Sequence, residues 1–165
     1  MKSCVFPGSF DPPTCGHMEL IRRASKLFDS VTVAVMVNRS KKGIIPLEER
    51  VRMLRKACGD CPGVRVELWE GLLADYIRIH PGCAVIRGIR GADEYEREAS
   101  SAAVNRILNP EMETVFLPAA GDTASVSSSA VREVASFGGD YSAMVPAVIL
   151  EDVDQYMQIL SRKDK

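Results

Sequence analysis

The chain has 165 residues, 46% of them apolar, and a formal net charge of −1, which suits one globular domain with a full-sized core. So even a charge balance speaks against broad nucleic-acid binding, which rests on a basic excess. No uninterrupted apolar stretch approaches the roughly 18 residues of a membrane span. The N-terminus enters a strand directly, without a cleavable signal pattern. A soluble cytoplasmic protein with no nucleic-acid or membrane partner is therefore expected, with residues 1–161 as one domain and 162–165 as a frayed tail.

The first apolar run, Cys4-Val5-Phe6, predicts a strand. It leads into Pro7-Gly-Ser-Phe-Asp-Pro-Pro-Thr-Cys-Gly-His17, a tight loop punctuated by Gly and Pro. An amphipathic stretch follows, in which Met18, Leu20, Ile21, Ala24, Leu27 and Phe28 recur at helical spacing. Strand, tight loop and helix start form the layout of a phosphate site, because N–H groups at a helix start are unpaired and carry partial positive charge. Gly8 and Gly16 permit close backbone approach there. His17 falls in the first helical turn, aimed at whatever binds.

Val31 to Val37 is nearly continuous in apolar and β-branched residues, as expected of a strand covered on both faces. It completes a βαβ unit. Leu47, Val51, Leu54 and Cys58 mark a helix after Pro46, and Val64 to Leu68 alternates like a half-exposed strand. Leu72, Leu73, Tyr76 and Ile77 suggest a short helix, followed by a buried strand over Cys83 to Ile86. A long helix is expected from Asp93 to Leu108, stopped near Asn109-Pro110, then a fifth strand over Thr114 to Leu117. Further helices start near Ser127 and near Pro146, the latter with Pro in its first turn. The fold class is α/β, a Rossmann-like doubly wound five-stranded parallel sheet in a single domain. Ligands of such sheets bind beyond the carboxyl ends of the strands. Segments 7–17, 38–42, 70–74, 87–90 and 118–129 are thus expected to converge on one rim.

Arg87-Gly-Ile-Arg90 offers that rim two guanidinium groups, whose planar forks match phosphate oxygens. Lys41 adds a cation in the polar segment 38–42, and Ser127, Ser128 and Ser129 open a helix with a cap and hydroxyl donors. Glu98 shares a charged helix face with Asp93, Glu94, Glu96 and Arg97, where solvation is the default reading. No acid–base triad and no P-loop pattern is present. Donors, cations and helix starts without a nucleophile point to phosphoryl or nucleotidyl transfer, which needs positioning and charge stabilisation. The five cysteines, at 4, 15, 58, 61 and 83, make no disulfide framework. Cys4 and Cys83 read as small core residues. Cys58-x-x-Cys61 reads as a redox pair or half a metal site, with only two histidines in the chain to complete the latter.

Taken in order, Gly8 to His17, Ser40-Lys-Lys42, Leu47-Glu-Glu-Arg-Val51, Ile86-Arg-Gly-Ile-Arg90, Asn105-Arg106 and Ser127 to Glu133 resemble the bacterial phosphopantetheine adenylyltransferases. That family lies among the TxGH/HxGH nucleotidyltransferases, and the resemblance runs from the first strand to about Tyr141. It implies adenylyl transfer from ATP to 4′-phosphopantetheine, giving dephospho-coenzyme A and pyrophosphate, with Mg2+ and a homohexamer of two trimers. By position it implies His17, Lys41 and Arg90 at the transferred phosphate. It implies Ser9, Lys41, Leu73, Arg87 and Asn105 on 4′-phosphopantetheine. The ATP side would comprise Ser9, Phe10, His17, Gly88, Ile89, Arg90, Glu98, Thr123, Ala124, Ser125, Val126, Ser127, Ser128 and Ser129. Two departures touch the adenosine side: Arg97 stands where Tyr is common, and segment 119–125 lacks an aromatic often found there. Sister adenylyl- and cytidylyltransferases usually carry His in the place of Thr14. A non-catalytic nucleotide-binding module, the rival from another class, should have lost His17 or Lys41.

Overall fold

A computed structural model describes residues 2–37 and 43–161. Strands β1 (Ser3–Gly8), β2 (Ser30–Met36), β3 (Val64–Trp69), β4 (Ala84–Ile89) and β5 (Thr114–Pro118) form one sheet in the order 3-2-1-4-5. All four pairings are parallel. The chain winds from β1 out to β3, then returns to the other side of β1, so the switch point lies between β1 and β4. This is the doubly wound architecture expected from the alternating pattern.

Six helices connect the strands: α1 (Cys15–Leu27), α2 (Leu47–Ala57), α3 (Leu73–Ile79), α4 (Ala92–Leu108), α5 (Ser128–Ser136) and α6 (Leu150–Ser161). Successive strand residues point to opposite faces, and the core divides accordingly. Cys4, Phe6, Val31, Val33 and Val35 pack on one face against residues of α1, α2, α5 and α6. Val5, Ala34 and Val85 pack on the other against Ala74, Tyr76 and Ile77 of α3. On that second face Thr32 is buried, and its Oγ1 accepts a bond of 2.7 Å from Arg65 Nε. Charge placement supports α2 locally, with Glu48 and Glu49 in the first turn and Arg55 and Lys56 in the last, each sign opposing the helix dipole. In contrast, α4 buries none of its residues and leaves Tyr95, Val104, Ile107 and Leu108 exposed.

Three local expectations are corrected. Strand β4 runs to Ile89, so Arg87 and Gly88 lie inside it, paired with Phe116 and Leu117. The glycine between the two arginines, which the sequence offers as a flexible separator, is instead a packing position: a Cβ on Gly88 would sit 2.2 Å from Leu20 Cδ1. Its bare backbone lets α1 lie close on the sheet. Pro146 does not enter the first turn of α6 either. Its carbonyl accepts the Ile149 N–H at 3.0 Å, closing a 3-10 turn over Ala147–Ile149, and α6 begins at Leu150.

The described residues include no helix long and apolar enough to cross a membrane. All five cysteines are free, and burial pushes the Cys58 thiol up to about 12. Cys58 caps the end of α2, its N–H donating to Leu54 O at 2.8 Å. Among the described residues no group of three or more His, Cys, Asp or Glu is arranged to hold a metal. The expected tail, 162–165, and the rim segment 38–42 lie outside the described residues.

Candidate active site

The loop leaving β1 is held by side chains of β1, α1, α2 and α5. Phe10 is the one non-glycine residue with positive φ (48°) among the described residues, a conformation disfavoured for a residue with a Cβ. Burial of its ring offsets that cost: Phe10 is 1% exposed and packs edge-on against Phe6 and His17, with centroids 5.8 and 4.9 Å away. Asp11 follows, its carboxylate accepting the Ile44 and Ile45 N–H groups at 2.9 Å each. Arg50 of α2 pairs with that carboxylate at 3.5 Å and donates to Ile45 O (2.7 Å) and Ser9 O (3.0 Å). From α5, Arg132 donates to Asp11 O and Ser128 Oγ to Pro12 O at 2.7 Å. The loop is thus tied to both flanking helices.

At the start of α1, Thr14 and His17 cap each other. Thr14 Oγ1 accepts the His17 N–H at 3.3 Å, and His17 Nδ1 accepts the Thr14 N–H at 3.1 Å. This is a capping box with an imidazole in the place usually held by Glu or Gln. Since Nδ1 is the acceptor, the neutral ring carries its proton on Nε2. Burial, reinforced by Arg90 and Arg87, pulls the His17 pKa from 6.5 down to about 4. His17 is therefore an uncharged Nε2–H donor throughout the neutral range. A nitrogen-detected NMR titration of the free protein should show this tautomer and a midpoint near 4. A midpoint near 6.5 would overturn the assignment. Because the folded value lies below the unfolded one, the unfolded chain takes up the proton first. This group's contribution to stability is complete above pH 6.5 and is lost as pH falls from there to about 4.

Gly16 brings a second helix start to the first. A Cβ on Gly16 would lie 2.7 Å from Val126 O and 3.2 Å from Thr123 O, so residues 123–126 lie directly on the N-terminus of α1. Ser127 then caps α5, its Oγ accepting the Ala130 N–H at 3.1 Å. Two positive helix ends face one cavity of about 580 Å³. Arg50, Arg87, Arg90 and Arg132 line it, against Asp11, Glu94 and Glu98. Four cations against three anions, plus the helix starts, favour a polyanionic ligand.

Most of the residues expected at the rim meet here. Ser9, Phe10, His17, Arg87, Gly88, Arg90, Glu98, Thr123, Val126 and Ser127 to Ser129 all line the cavity. Ile89, Ala124 and Ser125 adjoin lining residues without lining it themselves. Leu73 packs with the smaller core cluster instead, and Asn105 lies along α4, away from the cavity lining. Lys41 lies outside the described residues. Sequence reasoning missed Asp11, Arg50, Glu94 and Arg132 as parts of the site. One signal was available for Arg50: it shares the apolar stripe of Leu47, Val51 and Leu54, where a charge implies a buried partner.

The profile of the cytidylyltransferase-like family matches residues 5–134 of this chain. A phosphopantetheine adenylyltransferase of Rubrobacter xylanophilus is 47% identical over 164 residues, covering 99% of this chain and 98% of that protein. One from Finegoldia magna is 46% identical over 152 residues, covering 92% and 93% respectively. A solved structure from Vibrio parahaemolyticus, assigned as a nicotinate-nucleotide adenylyltransferase, superposes with a TM-score of 0.66 over 97% of this chain and 98% of that one. At 20% identity it speaks for the shared fold alone.

Proposed function

This chain belongs to the phosphopantetheine adenylyltransferases of the cytidylyltransferase-like family, and we propose that its cavity performs the transfer by in-line attack. The phosphate of 4′-phosphopantetheine attacks the α-phosphorus of ATP, releasing pyrophosphate and giving dephospho-coenzyme A with no covalent intermediate. The observation that carries this reading is the pair of helix starts meeting at a neutral, tautomerically fixed His17. Such fixed donors stabilise charge that develops on the transferred phosphate without reorganising. No general base is needed, because the attacking phosphate is already an anion near pH 7.

In this mechanism the His17 Nε2–H and the Arg90 guanidinium donate to α-phosphate oxygens, with Lys41 joining them. Arg87, Ser9 and Lys41 hold the acceptor phosphate, with Leu73 and Asn105 beside the pantetheine arm. Phe10, Gly88 to Arg90, Glu98 and Thr123 to Ser129 form the ATP side. Mg2+ fits this site as a companion of ATP and not as a resident ion. The lining carboxylates Asp11, Glu98 and Glu94 are each engaged by an arginine, whereas Mg2+ commonly binds through substrate phosphates and water. When bound, it would offset charge on the leaving pyrophosphate. We place the activity in the cytoplasm, and a homohexamer is consistent with the exposed apolar residues of α4.

The direct test is product formation from ATP, Mg2+ and 4′-phosphopantetheine, with nicotinamide mononucleotide as parallel acceptor. Dephospho-coenzyme A from the first mixture alone is the expected result. Turnover of the mononucleotide instead would keep the transfer chemistry and overturn the acceptor. Silence with both, from protein that still binds ATP, would leave a nucleotide-binding module.

A further inference from the structure

We infer that Glu94 is a positioning residue for the transfer: it holds the Arg90 guanidinium from the side, keeping that group's outer edge turned to the ATP phosphates. The inference rests on the function proposed above. Glu94 lies in the first turn of α4, four residues after Arg90. Its Oε2 accepts both the backbone N–H of Arg90, at 2.7 Å, and the Nε–H, at 3.0 Å. Its Oε1 accepts from Nη2. A guanidinium has five N–H donors in a rigid fork. Glu94 uses the Nε–H and one Nη2–H, which leaves one Nη1 hydrogen and the second Nη2 hydrogen side by side on the far edge. That edge can still meet a phosphate with two parallel bonds.

One turn further along α4 the same arrangement recurs. Glu98 accepts from Arg87 Nε and Nη2 at 2.6 Å each, while Arg87 Nη1 donates to Pro7 O at 2.7 Å. Carboxylates four residues apart on one helix thus brace arginines three residues apart at the end of β4. Glu98 has an ATP-side role by resemblance, whereas nothing assigns one to Glu94.

Two effects of the Glu94 carboxylate oppose each other. Its negative charge repels a triphosphate, so Coulomb interaction alone predicts tighter ATP binding once it is removed. Its hydrogen bonds orient a side chain that is 40% exposed. Among the described residues, Glu94 is the group hydrogen-bonded to Arg90. A long, half-exposed arginine without that brace samples many rotamers. Orientation should therefore win, as it does where an outer partner aligns a ligating group and its loss costs roughly 10–100-fold. Since α4 buries no residue, truncating Glu94 opens no core cavity.

The test is a cycle of Glu94→Ala, Arg90→Ala and the double variant, read by kcat/KM for ATP and, separately, by calorimetric ATP affinity. Glu94→Ala is expected to lower kcat/KM about 10–30-fold and to weaken ATP binding, with Glu94→Asp recovering part of both. In the Arg90→Ala background the same substitution should change either quantity by less than about two-fold, because contacting residues are non-additive. Equal losses in both backgrounds would show that Glu94 acts without Arg90 and would overturn the inference. Unchanged kcat/KM, or tighter ATP binding, in Glu94→Ala would do so as well. If wild-type protein makes no dephospho-coenzyme A, the proposed function fails, while the binding cycle still decides the role of Glu94.

Discussion

Replacing His17 with alanine is expected to lower kcat for dephospho-coenzyme A formation about 10²–10³-fold, or roughly 2.7–4 kcal/mol, the usual cost of one preorganised donor. The same substitution removes the ring nitrogen that accepts the Thr14 N–H, so the start of α1 also loses half of its capping box. Caps are worth roughly 0.5–2 kcal/mol, and the variant should remain folded. His17→Gln separates the two effects. Gln is an ordinary partner in a capping box, so it should recover most of the unfolding midpoint. Its amide NH2 is still a donor, but it hangs on a flexible chain instead of a ring fixed by its own cap, so the rate should recover only in part. Turnover near wild type in His17→Ala would remove His17 from the mechanism.

Asp11→Ala should cost about 3–5 kcal/mol of stability, the usual penalty for breaking a buried ion pair from one side. Arg50 and Asp11 have side chains only 7% and 9% exposed. Alanine would leave the Arg50 guanidinium charged and without its carboxylate, and the Ile44 and Ile45 N–H groups without their acceptor. The damage would reach the site, because the same arginine holds Ser9 O and the Asp11 backbone is held by Arg132. ATP affinity should therefore fall along with stability. Asp11→Ala combined with Arg50→Met removes the orphaned charge and should recover much of the lost stability, though not the loop geometry. Urea unfolding of the three proteins measures this. A loss below about 1 kcal/mol in Asp11→Ala would mean that water reaches the pair and that the penalty of burial does not apply.

The site was legible wherever local chemistry marks it. A Gly- and Pro-punctuated loop after β1, three serines opening α5 and two arginines near the end of β4 could be found one at a time. Their meeting followed from parallel topology, which places every strand's carboxyl end on one edge. The charged face of α4 was misjudged at two positions, while Asp93, Glu96 and Arg97 are exposed as expected. Glu94 and Glu98 look like solvated residues in sequence, yet each holds a guanidinium bidentately. Leu73 and Asn105 entered by resemblance alone, and the fold sets them in α3 and α4, outside the cavity lining.

By itself the sequence determined the α/β class, the order of the elements and the gathering of arginines, serines and helix starts on the rim. These depend on apolar periodicity and turn chemistry, which act within about four residues along the chain. Only the tertiary structure decided the partners of charged groups. Asp11 and Arg50 lie 39 positions apart in sequence and meet because α2 packs beside the first loop. Arg132 reaches the same loop across 121 positions. The depressed pKa of His17 has the same origin, since burial and two arginines from the far side of β1 produce it. Such pairings depend on which elements meet in space, and no local pattern records that.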